Sequence, residues 1–176
     1  MHVKELKLVF SQGQIQDRVT AMGAAIDQCY GDAPLVVVCV LKGASIFFSD
    51  LVRAITTPRV ELDFVRLCSY GTGDNSSGSI TFRKDVEISL TGKHVLIVED
   101  IVDTGHTMHF LRGEFAARGA ASLRIAALVD KHERREKAVQ TDFAGFSLPK
   151  GFIVGYGLDY AEQYRNLPAI YEVIPE

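Results

Sequence analysis

The sequence predicts an α/β fold: an open, mainly parallel sheet flanked by helices. Two observations support this. The run LVVVCVL at residues 35–41 is continuously apolar and largely β-branched between Pro34 and Gly43, which is typical of a strand buried on both faces. Strand and helix patterns then alternate along the chain at lengths that suit right-handed crossovers.

Each predicted element follows from a local pattern. Ser11 and Gln14 have capping-box spacing, and apolar residues recur at helical intervals from Ile15 to Tyr30 before Gly31 offers a stop. The remaining predictions are a helix at about 44–55, strands at about 60–67 and 94–98, a helix with Met108, Leu111 and Phe115 on its inner face that ends near Gly119, and a strand at about 123–129.

Composition bounds the function classes. The 176 residues, 47% of them apolar, fit a single domain over 1–176 with its own core. The net charge of −3 is spread over mixed acids and bases, so neither a nucleic-acid partner nor a membrane is expected. The three cysteines are widely spaced without a CxxC pair, which predicts free thiols in a reducing, cytoplasmic setting.

The segment 69–79, SYGTGDNSSGS, breaks the rhythm of strands and helices. It is rich in Gly and Ser and almost without apolar residues, so we expect a mobile loop. A solvated connector and a functional lid are both compatible with this composition.

The stretch 95–107, VLIVEDIVDTGHT, is the most informative part of the chain. A buried strand runs directly into Glu99 and Asp100, and Asp103 follows after two apolar residues. Ligands of open α/β sheets bind beyond the carboxyl ends of the strands, so these acids are expected to lie at a site.

The turn from Thr104 to Thr107 opens a helix whose N–H groups and hydroxyls can cradle a phosphate, with Gly105 allowing close approach. The alternative is that Thr104 simply caps a helix beginning near His106. Three acids beside a phosphate cradle require compensation, and Mg²⁺ with ribose hydroxyls would supply it. The combination indicates a ribose-phosphate site, and GxxxxGK[ST] and GxGxxG are both absent.

VLIVEDIVDTGHT closely resembles the signature of the type I phosphoribosyltransferases. LKGASIFFSDL at 41–51, CSYG at 68–71, LVDK at 128–131 and FIVGYGLDYAEQYRNLP at 152–168 further resemble the hypoxanthine-guanine phosphoribosyltransferases. The resemblance implies purine salvage, in which phosphoribosyl pyrophosphate and a 6-oxopurine base give IMP or GMP with Mg²⁺. It also implies a hood built from the N- and C-terminal segments, a lid at about 69–84, and a homodimer or homotetramer.

The resemblance also assigns residues. Catalytic roles fall on Asp103, as acceptor of the purine N7 proton, Lys131, which meets the 6-oxo group, and Arg165, which pairs with pyrophosphate. Glu99, Asp100 and Asp159 would bind metal, and these three residues would also contact substrate. Phe152 would stack on the base, and the Leu41-Lys42 peptide would be cis. The remaining substrate contacts would be Leu41, Lys42, Gly43, Ser69 and Tyr70 of the lid, Ile101, Thr104, Gly105, His106, Thr107 and Ile153.

Other interpretations stay open at this point. Taken alone, Lys131 would be a solvated lysine at a strand end, and Phe152 a strand aromatic facing the core. A nucleotide-sensing regulator on the same fold, or an enzyme that prefers xanthine or another base, would share the acidic motif. The charged segment 133–140 has no assigned role.

Overall fold

The computed structural model describes residues 3–70 and 79–175. These residues form two sheets and three helices in the predicted α/β arrangement. The helices are α1 (Gln12–Tyr30), α2 (Ser45–Ala54) and α3 (His106–Ala117), and the strands are β1 (Val3–Phe10), β2 (Leu35–Leu41), β3 (Val60–Tyr70), β4 (Ser79–Lys84), β5 (His94–Val102), β6 (Ser122–Lys131), β7 (Phe143–Leu148), β8 (Ile153–Val154) and β9 (Ile170–Pro175).

The larger sheet has six strands in the order β4-β3-β2-β5-β6-β7. All neighbours pair in parallel except β3 and β4, which are antiparallel. Because β2, β5 and β6 are parallel neighbours, their carboxyl ends meet at one edge of the sheet.

The core lies on both faces of this sheet, as the apolar run in β2 predicts. Val37 and Cys39 pack on one face beneath α1 and α2, while Val36 and Val38 pack on the other beneath α3. All four side chains are completely buried.

A separate three-stranded antiparallel sheet, in the order β1-β9-β8, is formed where the resemblance places the hood, and we call this sheet the hood. It joins the two ends of the chain, since Val3 pairs with Pro175 and Phe10 with Ile170. Phe10 also stacks on Phe146 of β7, with ring centroids 3.9 Å apart, which couples the hood to the larger sheet.

Several predicted boundaries need correction. The capping box on α1 is present as predicted, but β3 continues through Ser69 and Tyr70, where we expected a loop. Ser69 pairs with Ile80 and Tyr70 with Ser79, so main-chain pairing with β4 extends the strand, and the segment 79–84 of the predicted lid is itself a strand. The rest of the predicted loop, 71–78, lies outside the described residues.

Within the ranges 3–70 and 79–175, no helix combines the length and apolar character needed to cross a bilayer.

Candidate active site

The sheet register brings the predicted site residues to one edge. Cys39 of β2 lies opposite Val98 of β5, and Val102 of β5 lies opposite Asp130 of β6. Asp103, which follows β5, and Lys131, the last residue of β6, line one cavity, and Lys42 follows β2 on the other side of β5.

Glu99 and Asp100 form an acid pair at the end of β5, in which Glu99 is buried and Asp100 is half-buried. Glu99 is 8% exposed, its Oε1 accepts a hydrogen bond from the N–H of Asp100 at 3.1 Å, and the Oδ1 of Asp100 accepts one from the N–H of Ile101 at 2.8 Å. Burial, followed by the neighbouring charge of Asp100, raises the pKa of Glu99 well above its usual range. Burial also raises the pKa of Asp100, although the charge of Arg165 opposes the shift.

The turn after β2 lies in direct contact with the Asp100 carboxylate. The Leu41-Lys42 peptide is cis, as the resemblance implies. A Cβ added to Gly43 would lie 1.7 Å from Oδ2 of Asp100, so the carboxylate occupies the space that any other residue would need. A Cβ on Gly157 would in turn lie 2.1 Å from the carbonyl oxygen of Gly43, so a second turn closes over the first.

Helix α3 begins at His106 with Gly105 as its N-cap, at φ 86°, and no side chain in the described part of the chain caps its first turn. The interpretation of Thr104 as a simple cap is therefore wrong. The left-handed conformation of Gly105 points the chain away from the geometry in which a Thr104 hydroxyl would reach the first turn. Within residues 3–70 and 79–175, the first N–H groups of α3 thus have no side-chain acceptor, as a phosphate cradle requires.

The charged segment that sequence analysis left without a role supports the turn between β5 and α3. Arg135 donates from Nε to the carbonyl of Asp103 at 2.8 Å and from Nη2 to the carbonyl of Val102 at 2.9 Å, and it also bonds the Asp130 carboxylate. The carbonyl of Thr104 accepts N–H groups from residues 136 and 137 at 2.9 and 3.0 Å. The turn is therefore held in place through its carbonyl groups, which leaves its N–H groups available to a ligand.

Asp103 lies between this support and the cleft. Arg134 donates from both Nε and Nη2 to one carboxylate oxygen, Oδ2. The other oxygen, Oδ1, is buried and has no hydrogen-bond partner among the described residues. An unpartnered buried acceptor is costly, so this atom is the one prepared to receive a proton donor from a ligand.

A cavity of about 180 Å³ opens beside Asp103. Lys131 is only 6% exposed here and approaches Glu133 Oε2 at 3.3 Å, so it is not a solvated lysine at a strand end. Phe152 is 45% exposed and meets Tyr160 edge-on, so it does not face the core. The lining is completed by Asp100, Ile101, Arg134, Gly151, Ile153, Leu158 and Asp159.

A group of charges lies at the other end of the cleft. Asp159 bonds Nη2 of Arg165 at 2.8 Å, and Arg165 also donates from Nη1 to the carbonyl of Gly157 at 2.7 Å. Lys42 donates to Glu162 Oε2 at 2.7 Å. The Nε of Arg165 is buried without a hydrogen-bond partner in the described part of the chain.

The acid pair suits a hard divalent cation only in part. Glu99 and Asp100 offer carboxylate oxygens whose mutual repulsion a cation would relieve. Residues 3–70 and 79–175 hold no group of three or more His, Cys, Asp or Glu side chains arranged for a metal, so the other ligands would have to be water and substrate. Both oxygens of Asp159 are already engaged, by Arg165 and by the N–H of Glu162, so a metal there would compete with these bonds.

Of the predicted site residues, those that line the cavity of about 180 Å³ are Asp100, Ile101, Asp103, Lys131, Phe152, Ile153 and Asp159. Ser69 and Tyr70 are placed only through their backbone, at the end of β3. Arg134, Arg135 and Glu162 were not predicted as site residues. The first two lie in a charged run shortly after Lys131, and that proximity was the available signal.

The model of the phosphoribosyl transferase domain matches residues 11–161, and this chain belongs to that family.

Its relatives narrow the family further. The hypoxanthine-guanine phosphoribosyltransferase of Bacillus subtilis is 43% identical over 164 residues, covering 93% of this chain and 91% of that protein. The hypoxanthine phosphoribosyltransferase of Haemophilus influenzae is 41% identical over 179 residues, 100% of this chain and 99% of that protein. The crystal structure of a hypoxanthine phosphoribosyltransferase from Staphylococcus aureus superposes with a TM-score of 0.92 at 39% identity, covering 98% of this chain and 92% of the other. The resemblance to the hypoxanthine-guanine phosphoribosyltransferases that the sequence motifs indicated is confirmed.

Proposed function

We propose that this protein is a purine salvage enzyme that transfers the 5-phosphoribosyl group of phosphoribosyl pyrophosphate to N9 of hypoxanthine, guanine or both. The products are IMP or GMP and pyrophosphate. Relatives at about 40% identity over nearly the whole chain carry enzyme names, which favours turnover over nucleotide sensing.

The state of Asp103 is the observation that carries the proposal. Arg134 binds one oxygen, and the second is buried and unpartnered among the described residues beside a cavity of a size suited to a small ligand. As N9 bonds to C1 of the ribose and pyrophosphate departs, the proton on N7 must be taken up. A carboxylate within hydrogen-bond reach of N7 accepts it as a general base.

The purine lies in the cavity. Lys131 donates from its ammonium to the 6-oxo oxygen, and an adenine amino group would offer no acceptor in that position. Phe152 presents an exposed ring for stacking, and the backbone of Ile153 meets the edge of the base. Stacking holds any purine, so selectivity falls to Lys131.

The ribose and its phosphates lie along the strand ends. The N–H groups from Thr104 to Thr107 bind the 5-phosphate, Glu99 and Asp100 bind the ribose hydroxyls, and Lys42 and Arg165 bind pyrophosphate. Ile101 lines the same cavity as the base-binding residues. Mg²⁺, held by Glu99 and Asp100 with a second ion near Asp159, would neutralise the pyrophosphate as it leaves.

Closure and assembly follow from the family resemblance. Ser69 and Tyr70 belong to a lid that excludes water from the activated ribose, and the whole chain acts as a single domain in a homodimer or homotetramer. The three free cysteines suit a reducing compartment such as the cytoplasm.

A steady-state assay of hypoxanthine, guanine, xanthine and adenine with phosphoribosyl pyrophosphate and Mg²⁺ tests the proposal. We expect turnover with at least one of hypoxanthine and guanine and the least turnover with adenine. Absence of turnover with all the 6-oxopurines would reject it, and a clear preference for xanthine would reassign the substrate.

A further inference from the structure

Glu162 occupies an unusual position among the cations of the cleft. Its Oε2 accepts a hydrogen bond from Lys42 Nζ at 2.7 Å and approaches Arg165 Nη2 at 3.5 Å. One carboxylate oxygen thus lies between the two cations to which the proposed function assigns the pyrophosphate. The hydrogen bond from Lys42 lowers the pKa of Glu162, with smaller contributions from the charges of Lys42 and Arg165.

The backbone holds Glu162 in this position. Ala161 and Glu162 have φ values of 51° and 65°, and Tyr160 and Gln163 exchange main-chain hydrogen bonds across them at 3.2 and 3.0 Å. Two left-handed residues in a tight turn are normally Asn or Gly, so this turn is built at a cost in backbone energy. The backbone N–H of Glu162 also donates a hydrogen bond to Oδ2 of Asp159 at 2.8 Å, and Oδ1 of Asp159 pairs with Arg165.

We propose that Glu162 is an internal competitor of pyrophosphate, a carboxylate that binds Lys42 and Arg165 when the cleft is empty and yields them to the phosphate oxygens of the substrate. This inference rests on the proposed function. It adds a residue that tunes how strongly the cleft retains pyrophosphate, and hence how readily that product leaves.

Exposure and charge make the exchange feasible. The Lys42 and Glu162 side chains are 48% and 63% exposed, so their ion pair is solvated and weak and opens easily. Arg165 keeps a buried Nε without a partner in the described ranges, so it has a donor to offer an incoming anion. Pyrophosphate brings more negative charge than one carboxylate and displaces it.

The test is isothermal titration of inorganic pyrophosphate, with Mg²⁺ present, into the wild-type protein, Glu162→Gln and a matched control. Glu61→Gln is the control, because Glu61 also binds a lysine, Lys93, at 2.7 Å on the surface of the larger sheet. We expect Glu162→Gln to bind pyrophosphate about threefold to fivefold more tightly, the scale set by a solvated ion pair, and Glu61→Gln to match the wild type.

Two further measurements separate competition from a change in the turn. Glu162→Gly keeps the left-handed conformation without strain and removes the carboxylate, so it should show the same tightening. The ratio of affinities should fall toward one at roughly 0.5 M salt, because an exposed pair is screened. Unchanged or weaker pyrophosphate binding by both Glu162 variants would overturn the inference alone. A wild-type protein that binds neither pyrophosphate nor phosphoribosyl pyrophosphate would overturn the proposed function with it.

Discussion

Replacing Gly43 by Ala should disable the site while leaving the fold intact. The new Cβ would lie 1.7 Å from Oδ2 of Asp100 and 2.6 Å from its Cγ, whereas ordinary contact begins at 3.4 Å. The carboxylate must therefore retreat by about 1.7 Å, although its Oδ1 is tied to the N–H of Ile101. A misplacement of roughly 1 Å at a site residue can cost about 100-fold, so we expect kcat/KM to fall by about that factor, about 2.7 kcal/mol.

Gly113→Ala is the matched control. Gly113 lies within α3, and a Cβ there would meet nothing within 4 Å. Its kinetic constants should stay at wild-type values, while the free energy of unfolding rises by roughly 0.5–1 kcal/mol because alanine favours the helix. Steady-state kinetics with phosphoribosyl pyrophosphate and urea denaturation would measure both effects. A Gly43→Ala protein with wild-type kcat and KM would refute the view that Gly43 and Asp100 are mutually fitted.

Three further substitutions test separate parts of the account. Asp103→Asn should lower kcat by about 10² to 10⁴, the usual contribution of a general base, and unaltered turnover would reject the proton-acceptor role. Lys131→Ala should lower the ratio of kcat/KM for hypoxanthine over adenine by at least about tenfold, and an unchanged ratio would assign base selectivity elsewhere. Asp63→Asn should destabilise the protein by roughly 2 kcal/mol at pH 7, because the buried carboxylate accepts three backbone N–H groups at 2.7 to 2.9 Å. Burial alone would raise the pKa of Asp63, but these bonds outweigh it and lower the pKa, so the loss should be present above the unfolded pKa of 3.8 and fade as pH falls through the lower folded value. Urea denaturation at pH 7 and pH 3 would measure this loss, and equal destabilisation at both values would contradict it.

Local patterns predicted the elements that sit at the centre of the fold. The run in β2 and the apolar spacing of α1 are set by neighbours within a few residues, and both elements appear as expected. The strands β1 and β9 were not predicted, because each gains its partner from the opposite end of the chain. β5 runs on through Glu99 and Asp100 because parallel pairing with β6 holds these polar residues in the sheet.

The site residues also divide into those set by local sequence and those set by distant contacts. The acidic motif and its turn are contiguous, so their chemistry can be predicted from the sequence together with the family resemblance. Arg134 and Glu162 reach their partners across 31 and 120 residues of chain, and no local spacing reports such contacts. Their charges look like those of any solvated segment until the fold brings them to Asp103 and Lys42.

The central claim is that the acid pair at the end of β5 binds a ribose phosphate. Titration of phosphoribosyl pyrophosphate with Mg²⁺ into the wild-type protein and into Asp100→Asn tests it most directly. We expect saturable binding by the wild type and at least about tenfold weaker binding by the variant, since a hydrogen bond to a charged group contributes about 1.5–3 kcal/mol. Equal affinity in the two proteins, or no binding by either, would contradict the account.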